Sequence, residues 1–293
     1  MDLQLKDKSA LVTGSTAGIG LEIARKLAVE GTKVIITGRN KTKLDQAVDS
    51  IRSSGGAYVS GVLADAATEE GAAALVRATP NVDILVNNLG IYEMKDFAAI
   101  TDADWRRYFE VNVLSGARLA RAYFPGMLER NWGRIIFISS ESGLVTPAEM
   151  IHYGMTKTAQ LAISRGLAGL TKGTKVTVNS VLPSPTRSEG IIDFLKSLAS
   201  DPAAPPEQIP SRSPAGHRGP NYSAAAVVTT TSMKAEQASP TCCERRSTSS
   251  TATRKPRPKR RPDIPPGRVP EVRRGQLSRL HPTFIDLCTK SRH

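Results

Sequence analysis

The chain has 293 residues, and its 40 Lys and Arg against 27 Asp and Glu give a formal net charge of +13. No apolar run approaches the ~18 residues of a membrane-spanning helix, and the first residues lack the basic-then-apolar pattern of a secretory signal. The first 200 residues contain no cysteine, which excludes a disulfide scaffold or a thiolate metal site there. These features predict a cytoplasmic protein that is not inserted in a membrane.

Composition divides the chain near residue 200. Residues 1–200 carry a net charge of +3, whereas residues 201–293 carry +10 together with 14 of the 19 Pro and all three Cys. A segment rich in Pro, Ser and Arg does not bury enough apolar surface to offset the entropy of ordering its chain. We therefore predict one domain over residues 1–200 and a disordered basic tail over residues 201–293, with some strand propensity at residues 224–231.

Six short apolar runs alternate with longer segments of helical periodicity in the first 200 residues. The runs are residues 9–13, 33–37, 58–63, 83–87, 134–139 and 175–182. They are rich in Val, Ile and Leu rather than strictly alternating, which is typical of strands covered on both faces. Alternating strands and helices predict right-handed crossovers and an α/β fold with a doubly wound parallel sheet of the Rossmann type.

A glycine-rich loop, TGSTAGIG at residues 13–20, lies between the first apolar run and the first helical segment. Its first glycine allows a tight turn, and the other two remove side chains where the backbone approaches a pyrophosphate and the helix packs on the sheet. The free N–H groups at the helix start favour a negative group. The loop predicts dinucleotide binding through Gly14, Ser15, Gly18, Ile19 and Gly20.

The residues at the end of the second apolar run indicate whether NAD or NADP is preferred. An acidic residue there would bind the adenosine ribose and repel a 2′-phosphate. This run instead ends Thr37–Gly38–Arg39–Asn40, with a guanidinium that suits a phosphate. The sequence favours NADP over NAD; the alternative is an ordinary surface arginine.

Tyr153 and Lys157 are four residues apart in a helical segment, so they lie on one face. A free tyrosine has a pKa near ~10, and acid–base work at neutral pH needs a fall of about three units, roughly 4 kcal/mol. One ammonium at ~4 Å in a dielectric of about 20 supplies a similar energy. Taken alone, such a pair is usually part of a solvated helix surface, so its interpretation depends on the other motifs.

The motifs together resemble the classical short-chain dehydrogenase/reductase family. The chain carries TGSTAGIG, then NNLG at residues 87–90, Asn112, SSESG at residues 139–143, and the Tyr153–Lys157 pair, in the family's order. Ser140 precedes Tyr153 by thirteen residues, as in the family. The resemblance covers residue 1 to about residue 200.

This resemblance implies four catalytic roles. Tyr153 would give or take the proton at the substrate oxygen, and Lys157 would bind the nicotinamide ribose and lower the pKa of that tyrosine. Ser140 would stabilise developing charge on the substrate oxygen. Asn112 would hold a water that links Lys157 to solvent. The implied reaction is the reversible, metal-free oxidation of an alcohol or reduction of a ketone with NADP(H).

The resemblance also implies further cofactor contacts. Asp65 matches the position beside the adenine ring, Asn87 and Gly90 lie in the loop after the fourth strand, and Thr186 and Ser188 match positions that hold the carboxamide. Ser184 replaces a usual glycine. If that position has a positive φ, Ser184 carries a strain of about 1 kcal/mol.

The family's last helix and seventh strand have no counterpart that we recognise after Asp201. The sixth strand is therefore predicted to form an open edge, and we expect a homodimer at most, through helices at residues 104–129 and 152–172. We hypothesise that residues 201–293 are an out-of-frame translation of the family's ending. Translating the other two frames of the coding DNA tests that hypothesis.

Two alternative functions stay open. A cofactor-binding or scaffold protein would keep the motifs without turnover of a small-molecule substrate. Nonspecific nucleic-acid binding could use the basic run RKPRPKRR at residues 254–261, although no aromatic residues are interleaved with it.

Overall fold

The computed structural model describes residues 2–184, residue 186 and residues 227–230. The strands are β1 (Ser9–Val12), β2 (Lys33–Gly38), β3 (Val59–Leu63), β4 (Ile84–Asn87), β5 (Gly133–Ile138), β6 (Val176–Leu182) and β7 (Val227–Thr230). The helices are α1 (Gly18–Val29), α2 (Lys41–Ser53), α3 (Glu69–Ala78), α4 (Asp102–Phe109), α5 (Ser115–Glu129) and α6 (Ile151–Gly169). Strands β1 to β6 coincide with the six predicted apolar runs to within one or two residues.

The strands form one sheet in the order β3-β2-β1-β4-β5-β6-β7, and the first six are parallel. The strand order reverses between β1 and β4, which are hydrogen-bonded neighbours. In doubly wound sheets, ligands bind in the crevice outside the carboxyl ends of the strands at such a reversal. The predicted Rossmann-like class is confirmed.

Each face of the sheet is covered by a separate apolar layer. In β1, Ala10 and Val12 pack into one layer with residues of α1 and α2, whereas Leu11 packs into the other layer. That second layer includes Leu75 of α3 and Leu119 of α5. Because both faces are covered, the strands need Val, Ile and Leu on both sides, which explains their continuous apolar runs.

A long helical segment is interrupted beside the site by a π-helical turn. Thr101 caps α4 with a reciprocal capping box, and residues Glu110–Leu114 form the wider turn that leads into α5. Such turns occur frequently at functional sites, and this one contains Asn112. Among the described helices, none is both long and apolar enough to cross a membrane.

The edge of the sheet differs from the prediction. Residues Val227–Thr230 form β7, which pairs antiparallel with β6 from Asn179↔Thr230 to Leu182↔Val227. The prediction of an open sheet edge at β6 is therefore wrong. An unpaired strand edge presents free N–H and C=O groups, and the segment VVTT has the β-branched residues that favour pairing there. Residues 227–230 fall within the predicted strand propensity at residues 224–231 and are a strand rather than disordered. For the rest of residues 201–293, the predictions of a disordered tail, a basic run and a frame shift lie outside the described residues.

Candidate active site

A cavity of about 430 Å³ lies at the carboxyl ends of the parallel strands. Cavities of a few hundred Å³ are typical of small-molecule and cofactor sites. Its lining includes Gly18, Ile19, Asn88, Gly90, Ser140, Tyr153, Lys157 and Thr186. The fold thus brings together motifs that lie far apart in the sequence.

One end of the cavity is the start of α1. Ala17 precedes this helix without a side-chain cap, and its first turn has no acidic residue. By contrast, Asn40, Thr68 and Thr101 cap the starts of α2, α3 and α4 with side-chain oxygens. The N–H groups of the first turn of α1 therefore have no side-chain acceptor at the cap, as an anion-binding helix start requires.

The glycines of the loop are required by its shape. Gly14 and Gly18 have φ values of +58° and +57°, a region that side chains rarely adopt. A Cβ atom on Gly20 would clash with the side chain of Asn88 and lie 2.5 Å from the carbonyl oxygen of Gly14. The backbone angles at Gly14 and Gly18 and the close packing of Gly20 on Gly14 and Asn88 therefore require glycine.

The Ser15 hydroxyl is fully buried and engaged inside the protein. It donates to the carbonyl oxygen of Val12 at 2.6 Å and accepts from the N–H of Thr37 at 3.0 Å. Ser15 thereby connects the glycine loop to β1 and β2.

Arg39 and Asp65 form an exposed ion pair. The guanidinium lies 3.7 Å from the carboxylate, and the Arg39 side chain is 77% exposed. Exposed pairs of this kind contribute about 0–1 kcal/mol, so a phosphate can replace the carboxylate as the partner of Arg39 at little cost. Asp65 also accepts from the N–H of Ala67, which holds its carboxylate in place.

At the other end of the cavity, the first turns of α6 present Tyr153 and Lys157. The Lys157 Nζ lies 5.5 Å from the centroid of the Tyr153 ring, and Ser140 lines the same cavity. Tyr92 packs edge-on against the Tyr153 ring at 6.2 Å between centroids. Three of the four catalytic side chains implied by the resemblance, Ser140, Tyr153 and Lys157, thus line one cavity.

The pKa of Tyr153 shifts in the direction opposite to the one expected. Burial raises it to about 12, with smaller upward contributions from Tyr92 and Glu141, and Ser140 lowers it only in part. Burial also lowers the pKa of Lys157 to about 8. The polypeptide alone therefore keeps the phenol protonated at neutral pH, because the loss of water outweighs the lowering effect of Ser140.

The short chain dehydrogenase family model matches residues 8–196. This chain belongs to the short-chain dehydrogenase family. The uncharacterized oxidoreductases YvaG and YvrD of Bacillus subtilis (strain 168) are 51% and 48% identical to it over 202 residues, which are 68% of this chain and 75% and 76% of theirs. The crystal structure of L-sorbose reductase from Gluconobacter frateurii, complexed with NADPH and L-sorbose, superposes with a TM-score of 0.65 at 34% identity, covering 69% of this chain and 78% of that one.

In this short-chain dehydrogenase, the Asn112 side chain joins the loop after β4 to α6. Its Oδ1 accepts from the N–H of Ile91 at 2.8 Å, while its Nδ2 donates to the Ile91 carbonyl at 2.9 Å and to Thr156 Oγ1 at 3.0 Å. Both amide hydrogens of Asn112 are therefore used within the protein. The water-holding role implied for Asn112 stays a prediction.

Gln160 is a buried polar residue that the sequence motifs do not single out. Its Nε2 donates to the backbone carbonyl of Asn112 at 2.6 Å, and its Oε1 accepts from Lys157 Nζ at 3.4 Å. The sequence does carry a signal, since Gln160 stands three residues after Lys157 and thus on the same helix face. Only the structure shows that this face is buried.

The loop after β4 contributes differently from the prediction. Asn88 and Gly90 line the cavity, whereas the Asn87 side chain is buried away from it, without a hydrogen-bond partner among the described residues. A Cβ atom on Gly90 would lie 3.4 Å from Lys157 Nζ, so the absence of a side chain there leaves room beside the ammonium.

The segment after β6 holds the remaining predicted contacts. Thr186 lines the cavity and donates to the carbonyl oxygen of Ser184 at 2.8 Å, whereas Ser188 lies outside the described residues. Ser184 is not among the non-glycine residues with positive φ, so the strain considered for it does not arise. Its hydroxyl donates to Glu141 Oε2 at 2.7 Å instead.

Proposed function

We propose that this short-chain dehydrogenase interconverts a ketone and an alcohol on a small molecule, with NADP(H) as the cofactor. The observation that carries the proposal is one cavity with the uncapped start of α1 at one end and Ser140, Tyr153 and Lys157 at the other. The solved relatives support it, since L-sorbose reductase and a variant of actinorhodin polyketide ketoreductase were crystallised with NADPH.

The residues present fit this cofactor. The loop at residues 13–20 would hold the pyrophosphate, Arg39 the 2′-phosphate and Asp65 the adenine edge. The nicotinamide half would lie along Gly90, Lys157 and Thr186, which line the cavity. The Asn87 side chain, which is buried away from the cavity, would take no part. When bound, the cofactor supplies the hydride in reduction and accepts it in oxidation.

Tyr153 moves the proton. In the reductive direction the substrate carbonyl carbon gains the hydride while its oxygen takes the hydroxyl proton of Tyr153, which is left as a phenolate that regains a proton from solvent. Ser140 lowers the pKa of that hydroxyl and would donate to the substrate oxygen as negative charge develops on it. The raised pKa keeps Tyr153 protonated and ready to act as the acid.

Lys157 is the one cation among the described residues that line the cavity. A phenol with a pKa of about 12 costs roughly 7 kcal/mol to ionise at pH 7, so the phenolate needs positive charge nearby. The ammonium lies on the face of the Tyr153 ring and supplies part of that charge. Its own pKa of about 8 leaves it mostly charged at neutral pH.

Assembly and location stay predictions of the sequence. We propose a homodimer at most, through the helices at residues 104–129 and 152–172, and a cytoplasmic location.

Tyr153→Phe tests the function. With a panel of ketoses and simple ketones, turnover is expected to fall by about 10²–10⁴-fold because the acid is removed. The dissociation constant of NADPH should stay within about twofold, since the phenol is not needed to bind the phosphates.

Tyr58→Phe is the matched control, because Tyr58 is 61% exposed and outside the cavity. Tyr58→Phe should keep the turnover and the NADPH dissociation constant of the unsubstituted chain. Turnover by Tyr153→Phe at the level of Tyr58→Phe would refute the proposed role of Tyr153.

A further inference from the structure

The buried ammonium of Lys157 is held by neutral groups. Lys157 is 4% exposed, and no carboxylate within the described part of the chain forms an ion pair with it. Its two acceptors are the carbonyl oxygen of Ile138 at 3.0 Å and Oε1 of Gln160 at 3.4 Å. A buried charge without a carboxylate depends on the dipoles that surround it.

The orientation of the Gln160 amide is fixed by its other contact. Gln160 is 1% exposed, and its Nε2 donates to the backbone carbonyl of Asn112 at 2.6 Å. The reversed amide would place two oxygens against each other, with no proton between them. Oε1 must therefore face Lys157.

The carbonyl that anchors Gln160 belongs to a cross-linked part of the site. Asn112 bonds both backbone groups of Ile91, and its Nδ2 also donates to Thr156 Oγ1, which in turn donates to the Tyr153 carbonyl at 2.6 Å. Asn112 thus connects the loop after β4 with the first turns of α6. Gln160 links the Lys157 ammonium to this frame.

We propose that Gln160 is a positioning residue, which holds the Lys157 ammonium between the carbonyl of Ile138 and the frame around Asn112. It acts through Lys157 and does not line the cavity. The hydrogen bonds of Gln160 exist in the polypeptide alone, so its role in holding Lys157 does not depend on a cofactor or substrate. Only the catalytic use of Lys157 rests on the proposed function.

The consequence can be measured on Lys157 itself. Tyr92, Glu141 and Tyr153 are the titratable residues that line the cavity with Lys157 in the described part of the chain, and burial is the cause of its lowered pKa. The Oε1 dipole of Gln160 favours the charged amine. Removing that dipole should lower the pKa of Lys157 further.

The test is Gln160→Met in the full chain, a substitution of similar length that removes both hydrogen bonds. The pKa of Lys157 is read from the ¹³Cε signal of labelled lysines, assigned by its loss in Lys157→Met. We expect a fall of about one unit from the unsubstituted chain, as for the loss of one hydrogen bond to a charged group. Gln46→Met is the matched control, because Gln46 is exposed on α2, and it should leave the pKa unchanged.

Gln160→Glu provides a second variant should Gln160→Met fail to fold. A carboxylate at this position should raise the pKa of Lys157, the opposite direction. The basic limb of the pH–turnover profile should move with the pKa in each variant. A Lys157 pKa that is the same in the Gln160 variants as in Gln46→Met would overturn the proposal.

The outcome is separable from the proposed function because the pKa is measured without substrate or cofactor. A shifted Lys157 pKa together with full turnover by Tyr153→Phe would uphold the role of Gln160 and refute the mechanism. An unshifted Lys157 pKa together with an inactive Tyr153→Phe would refute the role of Gln160 and uphold the mechanism.

Discussion

The two ends of the cavity are built from different parts of the polypeptide. At the α1 end, backbone N–H groups and glycines face the cavity, and the Ser15 side chain serves to shape the loop. At the α6 end, buried side chains face it, and burial shifts the pKa values of Tyr153 and Lys157 in opposite directions. Backbone dipoles can hold a fixed charge without titrating, whereas proton transfer needs titratable groups, whose pKa values respond to burial.

Among the substitutions that separate the two ends, the largest effect is expected from crowding the α1 end. Gly20→Ala places a Cβ 2.5 Å from the carbonyl oxygen of Gly14, and backbone cannot move aside as a flexible side chain can. We expect the free energy of unfolding to fall by about 1–3 kcal/mol and NADPH binding to weaken by more than about tenfold. Urea unfolding and fluorescence titration measure the two effects.

Gly166→Ala is the matched control for that substitution. Gly166 lies in α6, and a Cβ there would meet nothing within 4 Å. Because alanine favours helix over glycine, this variant should be more stable by about 0.5–1 kcal/mol, with unchanged NADPH binding. Equal behaviour of the two variants would contradict the packing argument at Gly20.

At the α6 end, Lys157 should make the free energy of unfolding depend on pH. Burial lowers the pKa of Lys157 from 10.5 to about 8, so between these values the unfolded chain binds more protons than the folded one. Raising the pH from about 7.5 to about 9.5 should therefore add about 2 kcal/mol to the free energy of unfolding through this group. Lys157→Met should lack this increment, and parallel pH profiles for the two chains would show that Lys157 is not buried as described.

The smallest effect is expected at the outer edge of the α1 end. Arg39→Ala removes an exposed guanidinium, and we expect NADPH to bind about tenfold more weakly while NADH binding stays within about twofold. Arg106→Ala is the control, since Arg106 is similarly exposed and pairs with Asp102 on α4. If NADPH and NADH weakened together in Arg39→Ala, Arg39 would not select the 2′-phosphate.

Much of the fold is predictable from the sequence, because the signals are local. Continuous apolar runs locate β1 to β6, and the loop at residues 13–20 locates the start of α1. The sequence indicates β7 only as strand propensity at residues 224–231, since its pairing depends on β6, which lies far earlier in the chain. Long-range pairing at a sheet edge leaves little trace in a local pattern.

Most residues of the candidate site can be predicted from the sequence, but their pKa shifts cannot. The motif spacing brings Ser140, Tyr153 and Lys157 together, but the direction of the Tyr153 pKa shift depends on burial, which spacing does not contain. Gln160 is not predicted either, because its role depends on the burial of its helix face. The motif NNLG does not distinguish Asn87 from Asn88, and only the β4 geometry shows which of them faces the cavity.

Binding of NADP(H) through the start of α1 and Arg39 is the property on which the proposed function depends. The most direct test is a fluorescence titration of the full chain with NADPH and with NADH under identical conditions. We predict saturable binding of both, with NADPH bound at least about tenfold more tightly. Failure of NADPH to bind, or binding of NADH as tight as or tighter than that of NADPH, would contradict the proposal.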